Sequence, residues 1–283
     1  MNIIVGETAG FCFGVKNAVT KTEKAIYEHT EISCLGELVH NTQVTQGLEK
    51  KGVKFIDNIN QAKGTTIIRS HGVTKNIYEE AKKRNLKLLD LTCPKVLHIH
   101  NIAENYAKQG YYIFIVGQSN HPEMEGTVSF CGDFYTVIEE EKDITKALVN
   151  LKETKIKKAI ILAQTTYSLE KFNIISQKIK EQLLDYEIEV KNTICDATKQ
   201  RQLETEKIAK QVDLMIIIGG KHSSNSNKLY EISKKYCQTL FVETENEIPE
   251  DMENRYSTIG IMAGASTPQE SIKKVLEKLS KIC

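Results

Sequence analysis

The sequence predicts an α/β protein built from three pseudo-threefold-related α/β units, with mainly parallel sheets around a central cavity. Two observations carry this. Short runs rich in Ile, Val and Thr alternate with longer segments whose apolar residues recur at helical spacing, the pattern of parallel strands covered by helices. Cysteines 12, 93 and 195 each follow a strand-like run and precede a helix, and a polar motif lies 28 residues beyond each of them. The 283 residues suffice for two or three domains.

The first unit is expected over 14–94. It opens with a helix over 15–28 and continues with strands near 31–35, 53–56, 65–69 and 87–91 and a helix over 75–85. The second, 95–194, reads as helices over 98–109 and 168–184 with strands near 111–116, 134–138, 158–163 and 187–191. The third, 195–283 plus 1–13, has helices over 199–211, 225–236 and 269–281 and strands near 213–218, 239–243 and 257–262. Its last helix shows the periodicity plainly at Ile272, Val275, Leu276 and Leu279. The opening run Asn2-Ile3-Ile4-Val5 is the strand that would close the circuit.

The repeat is regular. From Cys12 the 28-residue step reaches His40, from Cys93 it reaches His121, and from Cys195 it reaches Ser223. A glycine (Gly36, Gly117, Gly219) stands four residues before each. Further along each copy another strand ends in small polar residues: Arg69-Ser70-His71-Gly72, Gln164-Thr165-Thr166 and Ala265-Ser266-Thr267. The cysteines are 81 and 102 residues apart, and the path from Cys195 through the termini back to Cys12 is 100. In parallel sheets, ligands bind beyond the carboxyl ends of strands. All these motifs fall at such ends, so threefold symmetry would gather them around one cavity.

Composition narrows the function. With 38 basic and 37 acidic residues the net charge is +1, which gives no reason to expect a nucleic-acid or membrane partner. Arginine is scarce, so a guanidinium-rich phosphate clamp is not expected. No run approaches ~18 apolar residues, and no leader precedes the first strand, which points to the cytoplasm. In such a reducing compartment the seven cysteines are structural, metal-binding or catalytic rather than disulfide-bonded.

Thiols at helix starts are favoured as thiolates by the helix dipole and its free N–H groups. Cys12, Cys93 and Cys195 could hold zinc or an iron–sulfur cluster. The close cysteine pairs usual for zinc are missing, which favours a cluster with one iron lacking a protein thiolate. Cys34, Cys131 and Cys237 read as structural; Cys283 carries no positional argument. His40, His71 and His121, with Thr165, Ser223, Ser224, Asn225 and Ser266, suit an anion such as phosphate or diphosphate. Gly219, Gly220 and Gly264 would let backbone approach it. His29, His98, His100 and His222 break the pattern and read as surface residues or residues behind the site. Glu123, just after Pro122, is either a proton-delivering group in a dry cavity or a helix-start carboxylate favoured by the dipole. Glu125 should turn away.

These motifs resemble the 4-hydroxy-3-methylbut-2-enyl diphosphate reductase family. The resemblance runs in order through Gly10-Phe11-Cys12-Phe13-Gly14-Val15, Leu38-Val39-His40-Asn41, Ser70-His71-Gly72-Val73 and Thr92-Cys93-Pro94-Lys95-Val96. It continues through His121-Pro122-Glu123, Gln164-Thr165-Thr166, Thr193-Ile194-Cys195-Asp196-Ala197-Thr198 with Arg201-Gln202, Gly219-Gly220 with Ser223-Ser224-Asn225, and Gly264-Ala265-Ser266-Thr267-Pro268. It implies one 4Fe–4S cluster on Cys12, Cys93 and Cys195. It implies a substrate diphosphate held by His40, His71, His121, Ser223, Asn225 and Ser266 with Ser224 alongside, and a substrate hydroxyl on the open iron with Thr165 and Glu123 in reach. Glu123 would be the proton donor in a reductive dehydroxylation to isopentenyl and dimethylallyl diphosphate. An external one-electron donor such as a ferredoxin or flavodoxin would be required. Two rivals stand beside it: quinolinate synthase, which would need a dicarboxylate site, and a non-enzymatic zinc protein.

Overall fold

A computed structural model describes residues 2–250, 252 and 255–282; Cys283 lies outside them. The chain runs through β1 (Asn2–Val5), α1 (Phe13–Glu28), β2 (Ile32–Leu35), α2 (Thr42–Lys50), β3 (Val53–Ile56), β4 (Thr65–Ile68), α3 (Lys75–Lys83) and β5 (Lys87–Asp90). There follow α4 (Pro94–Lys108), β6 (Tyr112–Val116), α5 (Pro122–Val128), β7 (Tyr135–Ile138), α6 (Ile144–Lys152), β8 (Lys158–Ala163), α7 (Leu169–Gln182) and β9 (Glu187–Val190). The remainder is α8 (Asp196–Ala209), β10 (Leu214–Ile218), α9 (Ser224–Ser233), β11 (Gln238–Val242), β12 (Thr258–Ala263) and α10 (Gln269–Ile282).

The strands form three four-stranded sheets of one design: β3-β2-β4-β5, β7-β6-β8-β9 and β11-β10-β12-β1. Every paired strand is parallel. β1 completes the third sheet, with Asn2 opposite Thr258 and Val5 opposite Ile261. Inner strands are apolar runs because helices cover both faces of a parallel sheet. Leu214–Ile218 and Ile113–Val116 are fully buried. Small details recur too. Gly36, Gly117 and Gly219 each donate their N–H to the last residue of the adjacent edge strand, at 2.8, 3.0 and 2.9 Å. A single 3-10 turn with a reciprocal capping box follows each of those edge strands, at Asn58/Gln61, Glu140/Asp143 and Thr244/Glu247.

The chain divides into two compact units. One comprises residues up to Thr20, Val39–Lys51 and Asp196 onward, and holds the third sheet. The other comprises Lys21–Leu38 and Gly52–Cys195, and holds the first two.

All twelve expected strands are present, within a residue or two of the expected limits. The helices α2 and α6 were not expected. In α2 only Val44 and Leu48 are buried, and Gly47 weakens the helical signal. In α6, Ile144, Ala147, Leu148 and Leu151 are buried, but the charge cluster Glu139–Asp143 before it reads only as solvated surface. α6 follows the second 3-10 turn and is part of the longer second interval. Helices α1, α4 and α8 begin directly after Cys12, Cys93 and Cys195, as expected of cysteines that precede a helix and of a proline at the first helical position in α4, and a few residues before the apolar periodicity sets in. Among the described residues no helix is long and apolar enough to cross a membrane.

Candidate active site

Each of the three cysteines is half-buried, at the point where backbone leaves a strand and enters a helix. Each donates its backbone N–H to the polar motif beyond the neighbouring strand of its own sheet. Cys93 bonds Ser70 O at 2.9 Å, Cys195 bonds Thr165 O at 3.0 Å, and Cys12 bonds Ala265 O at 3.1 Å. One sequence pattern thus produces one local geometry three times. The described cysteines are all reduced thiols. Cys34 and Cys131 differ sharply: they are buried in sheet cores, and burial pushes both thiols up to about 12. Cys237 is also raised by burial. Among the described residues no group of three His, Cys, Asp or Glu side chains is gathered closely enough to hold one metal ion.

In the unit holding the first two sheets, Pro122 starts α5 and His121 is its N-cap. The His121 Nδ1 accepts the Glu123 N–H at 3.1 Å, which leaves Nε2 to carry the proton of the neutral ring. His71 meets that ring edge-on, with centroids 5.6 Å apart. Glu123 is 2% exposed. Its Oε1 accepts the Thr165 N–H at 2.6 Å and its Oε2 accepts the Thr165 hydroxyl at 2.5 Å. Burial raises its pKa to about 7, and the Thr165 bonds limit the rise. The same Thr165 takes the Cys195 N–H on its carbonyl, so a single residue joins the carboxyl to the backbone of a cysteine. Glu125, two residues on, is exposed, as helical geometry requires.

His100 lies behind this group. It is 3% exposed and stacks on Phe130 at 4.4 Å, and neither ring nitrogen has a hydrogen-bond partner. A Cβ on Gly72, beside His71, would come within 2.9 Å of its ring. Burial lowers its pKa to about 4, while Asp90 acts in the opposite sense. His98 and His222 are exposed, and His29 is half-exposed.

In the other unit, the Ser266 hydroxyl donates to His40 O at 2.9 Å, and Gly220 packs so closely that a Cβ would come 2.9 Å from that carbonyl. Ser223 caps α9 and accepts the Ser226 N–H at 3.3 Å. Ser223 and Ser224 are each 5% exposed. Asn225 is 3% exposed, yet neither its Oδ1 nor its Nδ2 has a hydrogen-bond partner. A buried amide in that condition costs about 1–3 kcal/mol per unmet group. Standing in the first turn of α9, it is suited to a ligand that completes it. Sequence reasoning missed Glu204, which holds the segment before Cys12; nearly 200 residues separate the partners and no local spacing marks them.

Fold and site define an α/β protein that carries buried polar and ionisable residues at the carboxyl ends of its parallel strands. Comparison with known proteins makes this specific. The model of the LytB protein family matches residues 3–280, and the chain belongs to that family; with curated relatives that are reductases, it is an oxidoreductase. Among curated relatives, the 4-hydroxy-3-methylbut-2-enyl diphosphate reductase of Alkaliphilus oremlandii is 39% identical over 292 residues, covering all of both chains. That of Clostridioides difficile is 38% identical over 291 residues with the same coverage. A solved structure of (E)-4-hydroxy-3-methyl-but-2-enyl diphosphate reductase, the terminal enzyme of the non-mevalonate pathway, is 38% identical, with a TM-score of 0.72 over 99% of this chain and 100% of that one. A reductase structure from Plasmodium falciparum is 29% identical, with a TM-score of 0.91 over 99% of this chain and 88% of that one.

Proposed function

We propose that the protein reduces 4-hydroxy-3-methylbut-2-enyl diphosphate to isopentenyl and dimethylallyl diphosphate. Two electrons and two protons replace the substrate's C–O bond with C–H and release water. The observation that carries the reading is the Glu123–Thr165–Cys195 connection: a buried acid with a pKa near neutrality, bound to the residue that also fixes a cysteine.

Cys12, Cys93 and Cys195 would hold one 4Fe–4S cluster. The donor set fits: three half-buried thiols at helix starts, whereas Cys34 and Cys131 are buried in sheet cores and held protonated by burial. When bound, the cluster supplies electrons one at a time and an open iron acting as a Lewis acid. An external one-electron donor such as a ferredoxin or flavodoxin feeds it.

The chain's own residues bind, orient and protonate. The substrate diphosphate is held by His40, His71, His121, Ser223, Ser224, Asn225 and Ser266. Asn225 gains the partners it lacks, and the His121 ring is held at its helix start by the Glu123 N–H on Nδ1. Thr165 fixes both carboxyl oxygens of Glu123. At neutral pH a large fraction of Glu123 is protonated, so it can give its proton to the leaving oxygen and be recharged. Residues 14–94, 95–194 and 195–283 with 1–13 form the three lobes of this cytoplasmic enzyme, which needs neither nucleic acid nor membrane.

The test is Glu123→Gln assayed anaerobically with the diphosphate substrate and a chemical reductant. Iron content should stay at the wild-type level while turnover falls ~10²–10⁴-fold, the range of a positioned acid. Near-normal turnover removes Glu123 from the donor role.

A further inference from the structure

The three cysteines leave their strands through segments of different length, held in different ways. Only Leu91 and Thr92 precede Cys93, and Asp90 of the same strand accepts the Thr92 N–H at 2.9 Å and its hydroxyl at 2.5 Å. Before Cys195, Thr193 Oγ1 accepts the Ala163 N–H at 2.8 Å and donates to Ala163 O at 2.5 Å, on the adjacent strand. Both segments are therefore tied within their own sheets. The segment before Cys12 is the longest, Gly6 to Phe11, and helix α8 supplies side chains that hold it.

Two residues of α8, one turn apart, make the hold. The Glu204 carboxylate accepts the Glu7 N–H at 2.7 Å, the Thr8 N–H at 2.9 Å and the Thr8 hydroxyl. Arg201, 4% exposed, donates through Nη2 to Gly10 O at 2.5 Å and through Nη1 to Ala197 O at 3.4 Å. Gly10 has φ +100°, which turns the chain toward Cys12 in a conformation suited to glycine. A Cβ on Gly6 would come 3.3 Å from the Glu204 carboxyl and 2.0 Å from Met262 Sδ, so the strand exit is pressed against the same contact. Burial raises the Glu204 carboxyl, but the Thr8 and Glu7 donors and the Arg201 charge together outweigh it and hold it below its ordinary value. The clamp is thus a set of charge-assisted bonds, the stronger kind.

We propose that Arg201 and Glu204 are positioning residues for Cys12, clamping Glu7–Gly10 so that the thiol is fixed for ligation. The clamp belongs to α8, the helix that starts immediately after Cys195, so the segment before one cysteine is held by the helix following another. This rests on the assignment of Cys12 as a cluster ligand, but the clamp itself is measurable without iron.

The experiment compares wild type with Glu204→Gln and Arg201→Met, all as full-length chains. Alkylation of each cysteine by iodoacetamide is followed by mass spectrometry in metal-free protein, and iron release to a chelator is followed in anaerobically loaded protein. Cys12 should react about tenfold faster in both variants, the equivalent of losing one charge-assisted bond, with Cys93 unchanged. Iron should also leave faster. An unchanged Cys12 rate overturns the proposal, as does acceleration of Cys93 and the buried Cys34 alongside Cys12, which would mean general loosening. If Cys12 accelerates alone but the wild type binds no iron, the clamp stands and the cluster reading falls. Should both variants fail to fold, Thr8→Val removes only the hydroxyl donor and must still raise the Cys12 rate; no change there overturns the clamp.

Discussion

Glu123 and His100 make opposite contributions to stability over the same pH range, and single substitutions should separate them. Burial raises Glu123 from its ordinary 4.5 to about 7. The folded chain then binds a proton that the unfolded chain has released. Its contribution is complete below pH 4.5 and is lost as pH rises to about 7. Burial lowers His100 from 6.5 to about 4, so there the unfolded chain takes the proton first. That contribution is complete above pH 6.5 and is lost as pH falls toward 4. At 1.36 kcal/mol per pH unit, each is worth about 3 kcal/mol over its full range. Neither group acts electrostatically on the other, so between pH 4.5 and 6.5 the two slopes offset each other in the wild type. Urea unfolding of the metal-free chain across this range tests the point. Relative to wild type, Glu123→Gln should gain stability as pH rises, and His100→Gln should lose it, by about 3 kcal/mol in each direction. Three parallel stability–pH curves would refute the assignment of these environments.

Two further outcomes follow from the site. Asn225→Leu removes a buried amide whose two polar atoms are unmet, so the ligand-free chain should be as stable as wild type or more so in thermal unfolding. The same change should raise KM for the diphosphate ~10-fold or more, since a hydrogen bond to a charged group is worth about 1.5–3 kcal/mol. Cys34→Ala should retain full iron content at a stability cost of about 1 kcal/mol, whereas Cys12→Ser should lose the cluster; iron analysis and unfolding of both variants check this.

The repeat was legible because its chemistry is local. A cysteine at a strand exit and a polar motif after the next inner strand recur at fixed spacing, and the N–H bonds of Cys12, Cys93 and Cys195 to the neighbouring motifs give the same geometry three times. The parallel strands were legible because Ile, Val and Leu fill both faces of the inner ones. Other features had no local signal. The joint hold of Thr165 on both oxygens of Glu123 depends on residues 42 apart meeting across a sheet end. His100 stood outside the repeat and read as a surface residue or one behind the site; it is the second, buried against the turn that carries His71, because α4 begins at Pro94 and brings its second turn under Gly72. The Glu204 clamp joins residues nearly 200 apart, in the unit where β1 pairs with β12, so no local spacing marks it.

Anaerobic purification followed by assay with 4-hydroxy-3-methylbut-2-enyl diphosphate and a chemical reductant tests the central claim most directly. The protein should be brown, carry about four irons and matching sulfide per chain, and convert the substrate to isopentenyl and dimethylallyl diphosphate. A colourless, folded, zinc-loaded chain with no turnover would contradict the account.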